Sequence, residues 1–294
     1  MPETRVWAEP APSRASVELP RKRAPRLSRV WARQAEGFRP GEYVFTASLT
    51  VGMALGRYTL PEAEQARWRG AILTDNAARA LFRLDTASAQ SRAAESSDIL
   101  LYSLIAYPTL VDAVLVAGAG HQSPAVAAQM VAINAQAFAL TTMLTVLAKS
   151  VAARERPFGR ECDGQGAAGG RCQDANRYKS FFSGHAATAF TGAGLVCAHH
   201  QALPLYGGGV ADSSACALSL AAASTVGVLR MMADKHYSTD VLLGAGVGLL
   251  SGYFLPRILH YKQQQRLHRV LGGGLIVPLA SSTGAIGLSY VHAL

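Results

Sequence analysis

The chain has 294 residues, of which 50% are hydrophobic and only 16% are charged. A soluble globular protein carries about 25% charged residues, so too few polar side chains are present to cover a water-soluble body of this size. The formal net charge is +9, but Lys and Arg lie in the N-terminal segment, in loops and after the last apolar tract, as they do in membrane proteins. This distribution indicates an integral membrane protein and argues against nucleic-acid binding.

Residues 1–41 form a basic segment with nine Lys or Arg against four Glu and no apolar run. This composition predicts a disordered or weakly ordered arm, and because it has no apolar core it is not a secretory signal peptide. The next segment, 44–58, is a marginal first span because about 15 residues fall short of the roughly 20 that a bilayer requires. A re-entrant or interfacial segment is the alternative.

Residues 61–98 are polar and carry acidic and basic side chains in similar number. Within them, Asp75 is placed to cap an amphipathic helix. The apolar face of that helix would consist of Ala77, Ala80, Leu81 and Leu84. We expect the helix to lie on the membrane surface beside the functional site.

Five further apolar tracts follow, at 99–118, 125–148, 185–198, 215–229 and 241–255. The first contains Asp112, for which we expect a polar contact between helices. Residues 261–294 form a C-terminal tail, within which 271–294 change character and predict a β-hairpin or an irregular segment. We therefore predict an all-α membrane bundle of about six transmembrane helices at 42–260, between the N-terminal arm and the C-terminal tail.

The ends of the tracts place chemically reactive residues on one face of the membrane. Lys149 ends the third tract, His185 begins the fourth, Arg230 follows the fifth and Asp240 precedes the sixth. This face lies opposite the N-terminus if 44–58 spans the membrane. The basic arm and the basic stretch after the last tract would then be cytoplasmic, in agreement with the positive-inside rule.

The four cysteines fall into two pairs. Cys162 and Cys172 lie ten residues apart in a Gly-rich loop and could close a disulfide in an oxidising compartment. A zinc site is the competing interpretation, but CxxC spacing is absent and no histidine lies between them. Cys197 and Cys216 lie in apolar tracts, where we expect inert, buried thiols.

The first two clusters of candidate residues could bind an anion. Lys149 and Arg156 offer a mobile point charge and a planar fork that matches phosphate oxygens, although cations also gather at membrane surfaces without a ligand. Ser183, Gly184 and His185 precede an apolar helix, so Ser183 can cap it and the helix N-terminus favours anions. A plain helix cap with a spare histidine is the alternative.

The third cluster combines Arg230, His236 and Asp240. His236 and Asp240 are four residues apart and hence neighbours on one helix face. A carboxylate that accepts one imidazole N–H fixes the tautomer and leaves the other nitrogen free as nucleophile or base, while Arg230 could hold phosphoryl oxygens. A structural His–Asp pair is the alternative. His199 and His200 lie roughly 21 Å from His185 along one helix and are excluded from this site.

Taken together, the three clusters resemble the three-part signature of the type-2 phosphatidic acid phosphatase and haloperoxidase superfamily. They stand as Lys149-x6-Arg156-Pro157, Phe182-Ser-Gly-His185 and Arg230-x5-His236-x3-Asp240. The resemblance covers about residues 99–258. Phe182 stands where the family usually has Pro, and Leu229 where it usually has Ser, so the pocket is expected to be reshaped without losing a charged group.

The resemblance implies an all-α bundle and, for the lipid phosphatases of the family, six spans with the site on the outer face of a bacterial inner membrane. His236 would be the nucleophile that forms a phosphohistidine, Asp240 would orient it, and His185 would protonate the leaving oxygen. The phosphoryl oxygens would be held by Lys149, Arg156, Ser183, the Gly184 amide and Arg230. No metal or cofactor is implied, because three cations supply the charge that Mg²⁺ would otherwise provide.

The expected substrate is a lipid phosphate such as phosphatidic acid, phosphatidylglycerol phosphate or a polyprenyl diphosphate. Phosphotransfer to an acceptor other than water, and a non-catalytic lipid-phosphate binder or transporter, are the alternatives on the same fold. A Ser183–His236–Asp240 triad is disfavoured because the Gly-x-Ser-x-Gly elbow is absent. A vanadate-dependent haloperoxidase is disfavoured by the apolar tracts.

Overall fold

The computed structural model describes residues 26–59, 63–162, 172–174 and 176–261, and the backbone of 274–280 and 286–292. Its helices are α1 (Arg26–Gln34), α2 (Pro40–Thr59), α3 (Asp75–Phe82), α4 (Ala87–Ala106), α5 (Pro124–Ala152), α6 (Gly184–Ala202), α7 (Val210–Met232), α8 (Ser238–Leu249) and α9 (Leu255–Leu259). The π-helical segments Tyr107–Gly120 and Leu250–Phe254 continue α4 and α8, and Pro157–Glu161 is a 3₁₀ turn. Strands β1 (Gly274–Ala280) and β2 (Ile286–His292) pair antiparallel, with Gly274 opposite His292.

Four helical segments are long and apolar enough to cross a membrane. They are Ala87–Gly120, Pro124–Ala152, Val210–Met232 and Ser238–Leu259. The prediction of an all-α membrane protein is confirmed for the bundle, whereas the count of about six spans is not. The difference arises from composition, because α2 contains Glu42 and Arg57 and α6 contains three histidines.

Helix α2 runs parallel to α5 along its length. At one end the backbone N–H of Phe38 donates to Oε1 of Gln129, 2.5 Å away. Further along both helices, a β-carbon at Gly52 in α2 would lie 3.4 Å from the terminal methyl group of Met143 in α5. The tract at 44–58, predicted as a marginal span, thus lies within a helix of 20 residues that is roughly 30 Å long.

Helix α6 lies at the centre of the bundle, and every residue from Thr191 to His200 is buried. It packs closely on its neighbours through glycine. A β-carbon at Gly192 would overlap the carbonyl of Leu104 in α4, and one at Gly252 would overlap the carbonyl of Thr191. Small residues allow such close approach of helices in membranes, and here the approach fixes the axial position of α6.

The prediction of free thiols at Cys197 and Cys216 is wrong. Helices α6 and α7 run antiparallel, which brings the two Cα atoms to 4.4 Å, and the sulfurs are bonded. That separation lies within the range that a disulfide can span. The pairing depends on how two separate apolar tracts pack, which their sequences do not reveal.

Part of the predicted N-terminal arm is ordered. Residues 1–25 lie outside the described part of the chain, but α1 forms within the stretch expected to be weakly ordered. Leu27 is buried, and Val30 and Trp31 pack against the same apolar cluster. Their spacing of three and four residues places them on one helix face, which explains why this basic segment folds onto the bundle.

The predicted amphipathic helix is present as α3, but Asp75 does not cap it. Thr74 occupies the N-cap position, and Asp75 is buried. Its carboxylate accepts hydrogen bonds from the backbone of Ile72 and from Arg154. Leu81 is 76% exposed, and the placement of α3 on the membrane surface stays a prediction.

A polar cluster lies at the end of the bundle opposite to the residues of the three-part signature. Asp112 accepts a hydrogen bond from the Tyr206 hydroxyl and lies 3.3 Å from Nε2 of His200, as expected for a polar contact between helices. His199 is buried between the side chains of Asn134 and Tyr261. Both histidines are therefore engaged away from the ends of α5, α6 and α7 at which the signature residues lie.

Candidate active site

The three clusters of the signature meet where α5 ends, α6 begins, α7 ends and α8 begins. The backbone N–H of Ser183 donates to the carbonyl of Asp240 at 3.0 Å, which joins the second cluster to the third. Nζ of Lys149 lies 3.3 Å from the position that a β-carbon on Gly184 would occupy, which joins the first cluster to the second. The alternation of helices thus assembles the site predicted from the ends of the tracts.

His236 is almost fully buried, with 3% of its surface exposed. Its Nδ1 donates to the backbone carbonyl of Ser180 at 2.9 Å. Because a carbonyl oxygen can only accept, this bond places the proton on Nδ1 and leaves the lone pair on Nε2. Burial, together with the positive charges of Arg156 and Arg230, lowers the pKa of His236 well below its ordinary value. The ring is therefore neutral at pH 7 and carries a free, nucleophilic nitrogen.

The direct hydrogen bond expected between Asp240 and His236 is not formed. The carboxylate oxygen Oδ2 lies 3.8 Å from Nδ1, which is beyond hydrogen-bond distance. Oδ2 instead accepts from the Ser180 hydroxyl at 2.6 Å and from the Tyr237 N–H at 3.0 Å. Asp240 therefore positions His236 through Ser180, whose carbonyl holds the imidazole.

Arg154, which the sequence analysis did not single out, fixes the other carboxylate oxygen of Asp240. It is 0% exposed and donates to Asp240 at 2.6 Å and to Asp75 at 2.7 Å. Its guanidinium lies between the rings of Trp68 and Tyr237, 4.0 and 4.1 Å from their centroids. The sequence signal that could have identified Arg154 is its position between Lys149 and Arg156, because a cation in a buried segment requires partners.

Asp75 connects this network to the start of α8. Its carboxylate accepts from the hydroxyl of Ser238 and the backbone N–H of Thr239, both at 2.9 Å. Burial acts to raise the pKa of Asp75, but hydrogen bonds from the backbone, from Arg154 and from Ser238 outweigh it and lower the pKa. Asp75 is therefore charged at neutral pH and holds Arg154 between two carboxylates.

Three cations predicted to bind phosphate surround the site. Arg156 and Arg230 are buried, and the Nε atom of each lacks a hydrogen-bond partner among the described residues. Burial lowers the pKa of Arg156 to about 10, against the opposing effect of Asp174 and Asp240. Arg156 therefore stays charged at pH 7, and its guanidinium retains donor capacity for an anion.

Lys235 is a further cation near the site that the sequence analysis missed. It directly precedes His236, and its backbone N–H donates to the carbonyl of Arg230. Burial, together with the charges of Arg230 and Arg156, lowers its pKa. The site therefore concentrates positive charge, as a multiply charged anionic substrate requires.

Ser183 and His185 occupy the first turn of α6. Ser183 is fully buried, and its hydroxyl caps the helix by accepting from the N–H of Ala186 at 3.3 Å. The ring of His185 is partly exposed, and its Nε2 donates to Oδ1 of Asp98 at 2.8 Å. Asp98, in α4, was also missed by the sequence analysis.

The loop that carries His236 is held from outside by α3. Asp234 adopts a positive φ of 58°, which a non-glycine residue adopts only where its surroundings support it. Nε and Nη2 of Arg79 both donate to its carboxylate at 2.7 Å. Residues 63–98 thus contribute Asp75, Arg79 and Asp98 to the support of the site.

A disulfide bond begins at the residue that follows the 3₁₀ turn. The sulfurs of Cys162 and Cys172 are bonded, with their Cα atoms 5.6 Å apart. In the part of the chain that the structure describes, no group of three or more His, Cys, Asp or Glu side chains is placed to hold a metal ion.

Residues 131–264 match the family model described as the PAP2 superfamily. The matched segment contains all three clusters, and the resemblance inferred from them is confirmed. No curated protein and no solved structure gives a significant match to the chain.

Proposed function

Because residues 131–264 belong to the PAP2 superfamily, we propose that the protein hydrolyses the terminal phosphate of a membrane lipid through a phosphohistidine on His236. The family and the four apolar helices indicate a membrane-associated phosphatase. The observation that supports a phosphohistidine intermediate is the neutral, buried imidazole of His236, which is held by the Ser180 carbonyl beside three cations.

In the first step, Nε2 of His236 attacks phosphorus. The N–P bond forms as the bond from phosphorus to the leaving oxygen breaks, and His185 transfers a proton to that oxygen. Lys149, Arg156 and Arg230 stabilise the charge on the three equatorial oxygens, the task that catalysis of phosphoryl transfer chiefly requires.

In the second step, water replaces the histidine. His185, now neutral, removes a proton from the water as its oxygen attacks phosphorus. The N–P bond breaks, inorganic phosphate leaves, and His236 returns to its starting state with the proton still on Nδ1. The same histidine thus acts as acid and then as base.

Burial of Ser183 supports histidine over serine as the nucleophile. The hydroxyl of Ser183 caps α6, and the residue is 0% exposed. A Ser183–His236–Asp240 triad would also require a bond from Asp240 to His236, whereas these groups are 3.8 Å apart. A binding protein would need the cations but not a neutral imidazole held in one tautomer.

The position of the site supports a lipid substrate. It lies at the ends of helices that are apolar enough to span a bilayer, so a phosphate at the membrane surface would reach it while its tail stays in the hydrocarbon. The parallel course of α2 beside α5 supports a further crossing, which would place the site on the face opposite the N-terminus. We propose that this is the outer face of a bacterial inner membrane, where the Cys162–Cys172 disulfide would persist.

The proposal is tested by phosphate release from detergent-purified protein with EDTA present. Phosphatidic acid, phosphatidylglycerol phosphate and a polyprenyl diphosphate would be compared, with His236→Ala alongside. Release that persists in EDTA and is lost in the variant is the expected result. Release by His236→Ala at more than about a tenth of the wild-type rate would contradict the assignment, since loss of a nucleophile costs several orders of magnitude.

A further inference from the structure

We infer that Asp98 is a positioning residue that holds the place of a substrate oxygen until the substrate binds. It holds His185 and Arg230 in their working orientation and is displaced from both when a phosphate ester binds. This inference rests on the proposed function. Asp98 lies in α4, outside the family match at residues 131–264.

One carboxylate oxygen of Asp98 is shared by two donors. Oδ1 accepts from Nε2 of His185 at 2.8 Å and lies 3.4 Å from Nη1 of Arg230. These are the donors that the proposed reaction requires at the leaving oxygen and at the phosphoryl group. An anionic oxygen that meets an imidazole N–H and a guanidinium N–H at one point reproduces the environment of a bound phosphate-ester oxygen.

The neighbouring residue explains how Arg230 would keep its place after the exchange. Nη1 of Arg230 also donates to the buried hydroxyl of Ser97 at 3.1 Å. The Asp98 side chain, by contrast, is 45% exposed. Its carboxylate can therefore remain solvated when it yields its donors, while Ser97 continues to hold the guanidinium.

The charges around His185 make Asp98 important for its protonation. Burial and the positive charges of Arg230 from α7 and Lys149 from α5 oppose protonation of the ring, whereas the hydrogen bond and negative charge of Asp98 from α4 favour it. A carboxylate next to an imidazole favours its protonated form, and cations disfavour it. Asp98 therefore supports the proton that His185 must donate, in opposition to the cations that bind the phosphate.

The charges also predict an effect on anion binding. Among the described residues, no ion pair involves Lys149 or Arg156, whereas Arg230 contacts Asp98. Asp98 consequently competes with the incoming phosphate for one of the three cations. Removal of its charge should strengthen the binding of a phosphate analogue while it weakens acid catalysis, and a purely structural role would not produce this opposite pair of effects.

The test uses Asp98→Asn with Glu95→Gln as the matched control. Glu95 lies in the same helix and bonds only Ser91 among the described residues. In Asp98→Asn, we expect the basic limb of the pH profile of kcat/KM to move about one unit lower, and orthovanadate, measured by calorimetry, to bind roughly fivefold tighter. Glu95→Gln should match the wild type in both measurements. Asp98→Glu, which keeps the charge, should restore the wild-type basic limb.

Each outcome distinguishes the inference from the proposed function. An unchanged basic limb, or orthovanadate binding no tighter than in the wild type, would overturn the role of Asp98 even if turnover fell. If Asp98→Asn does not fold, the test rests on Asp98→Glu, which keeps the negative charge. A basic limb in Asp98→Glu that moves as far as the shift expected for Asp98→Asn would contradict the charge argument. Wild-type protein that binds orthovanadate but hydrolyses no phosphate ester would instead refute the proposed function.

Discussion

Ser180 contacts both His236 and Asp240, which do not bond each other. Its backbone carbonyl accepts from Nδ1 of His236, and its hydroxyl donates to Oδ2 of Asp240. The carboxylate acts on the imidazole through this residue, across a direct separation of 3.8 Å. The arrangement separates two tasks, because the carbonyl sets the tautomer and the carboxylate sets the position of the segment that carries the carbonyl.

This separation predicts different effects for Ser180→Ala and Asp240→Asn. The alanine keeps the carbonyl that holds His236, so kcat should fall by less than about tenfold. Asp240→Asn weakens the contacts with Arg154 and Tyr237 as well, so we expect a loss of about a hundredfold or more. Steady-state kinetics on a short-chain lipid phosphate would check the order. A Ser180→Ala variant as impaired as Asp240→Asn would show that the hydroxyl contact itself carries the effect.

Arg154 is predicted to be a major determinant of stability. Its replacement by Met leaves the buried carboxylates of Asp75 and Asp240 without their shared cation, and breaking a buried ion pair in this way costs about 3–5 kcal/mol. Arg160→Met is the matched control, because Arg160 is exposed and bonds only Asn76 among the described residues. Thermal unfolding in detergent should show a large loss for the first variant and little for the second. Equal losses would contradict the network.

The pKa of His236 predicts the acid side of the activity profile. Burial and the neighbouring cations lower this pKa, and the nucleophile must be neutral to attack. The acid limb of kcat/KM should therefore lie below pH 6.5, the ordinary histidine value, after correction for the second ionisation of the substrate phosphate near pH 6. Rates at pH 4 to 9 would check this. An acid limb at or above pH 6.5 that is assigned to His236 would contradict the buried, cation-flanked setting.

The paired hydrogen bonds between Arg79 and Asp234 predict that substitutions at these two residues have coupled effects on kcat, although both lie away from the reacting atoms. Either Arg79→Met or Asp234→Asn should lower kcat by about tenfold, because the loop that carries His236 loses its support. The kcat of the double variant should be no lower than that of the more impaired single variant, as for residues that act as a unit. Arg92→Met, on an exposed residue that bonds Ser88, should match the wild type. Additive losses in the double variant would mean that the two residues act separately.

The sequence predicted the membrane-embedded α-helical bundle and the candidate groups because both leave local signals. Apolar tracts reveal the helices, and the spacing of Arg230, His236 and Asp240 reveals one cluster. The supporting contacts leave no such signal. The bond to His236 comes from a backbone carbonyl, and Asp75, Arg79 and Asp98 come from a polar stretch distant in the chain. The Cys197–Cys216 disulfide likewise depends on the packing of two tracts against each other.

The most direct test of the central claim is to trap the covalent intermediate and identify the phosphorylated nitrogen. A His185→Asn variant should accumulate phosphoenzyme from an activated phosphate ester, because a good leaving group needs no acid in the first step while the second step lacks its base. Because Nδ1 of His236 is held by the Ser180 carbonyl, we predict phosphate on Nε2 of His236, detected by phosphorus NMR and mass spectrometry and absent from the His185→Asn, His236→Ala double variant. Phosphate on Nδ1 or on another residue, or turnover without any phosphoenzyme, would contradict the account.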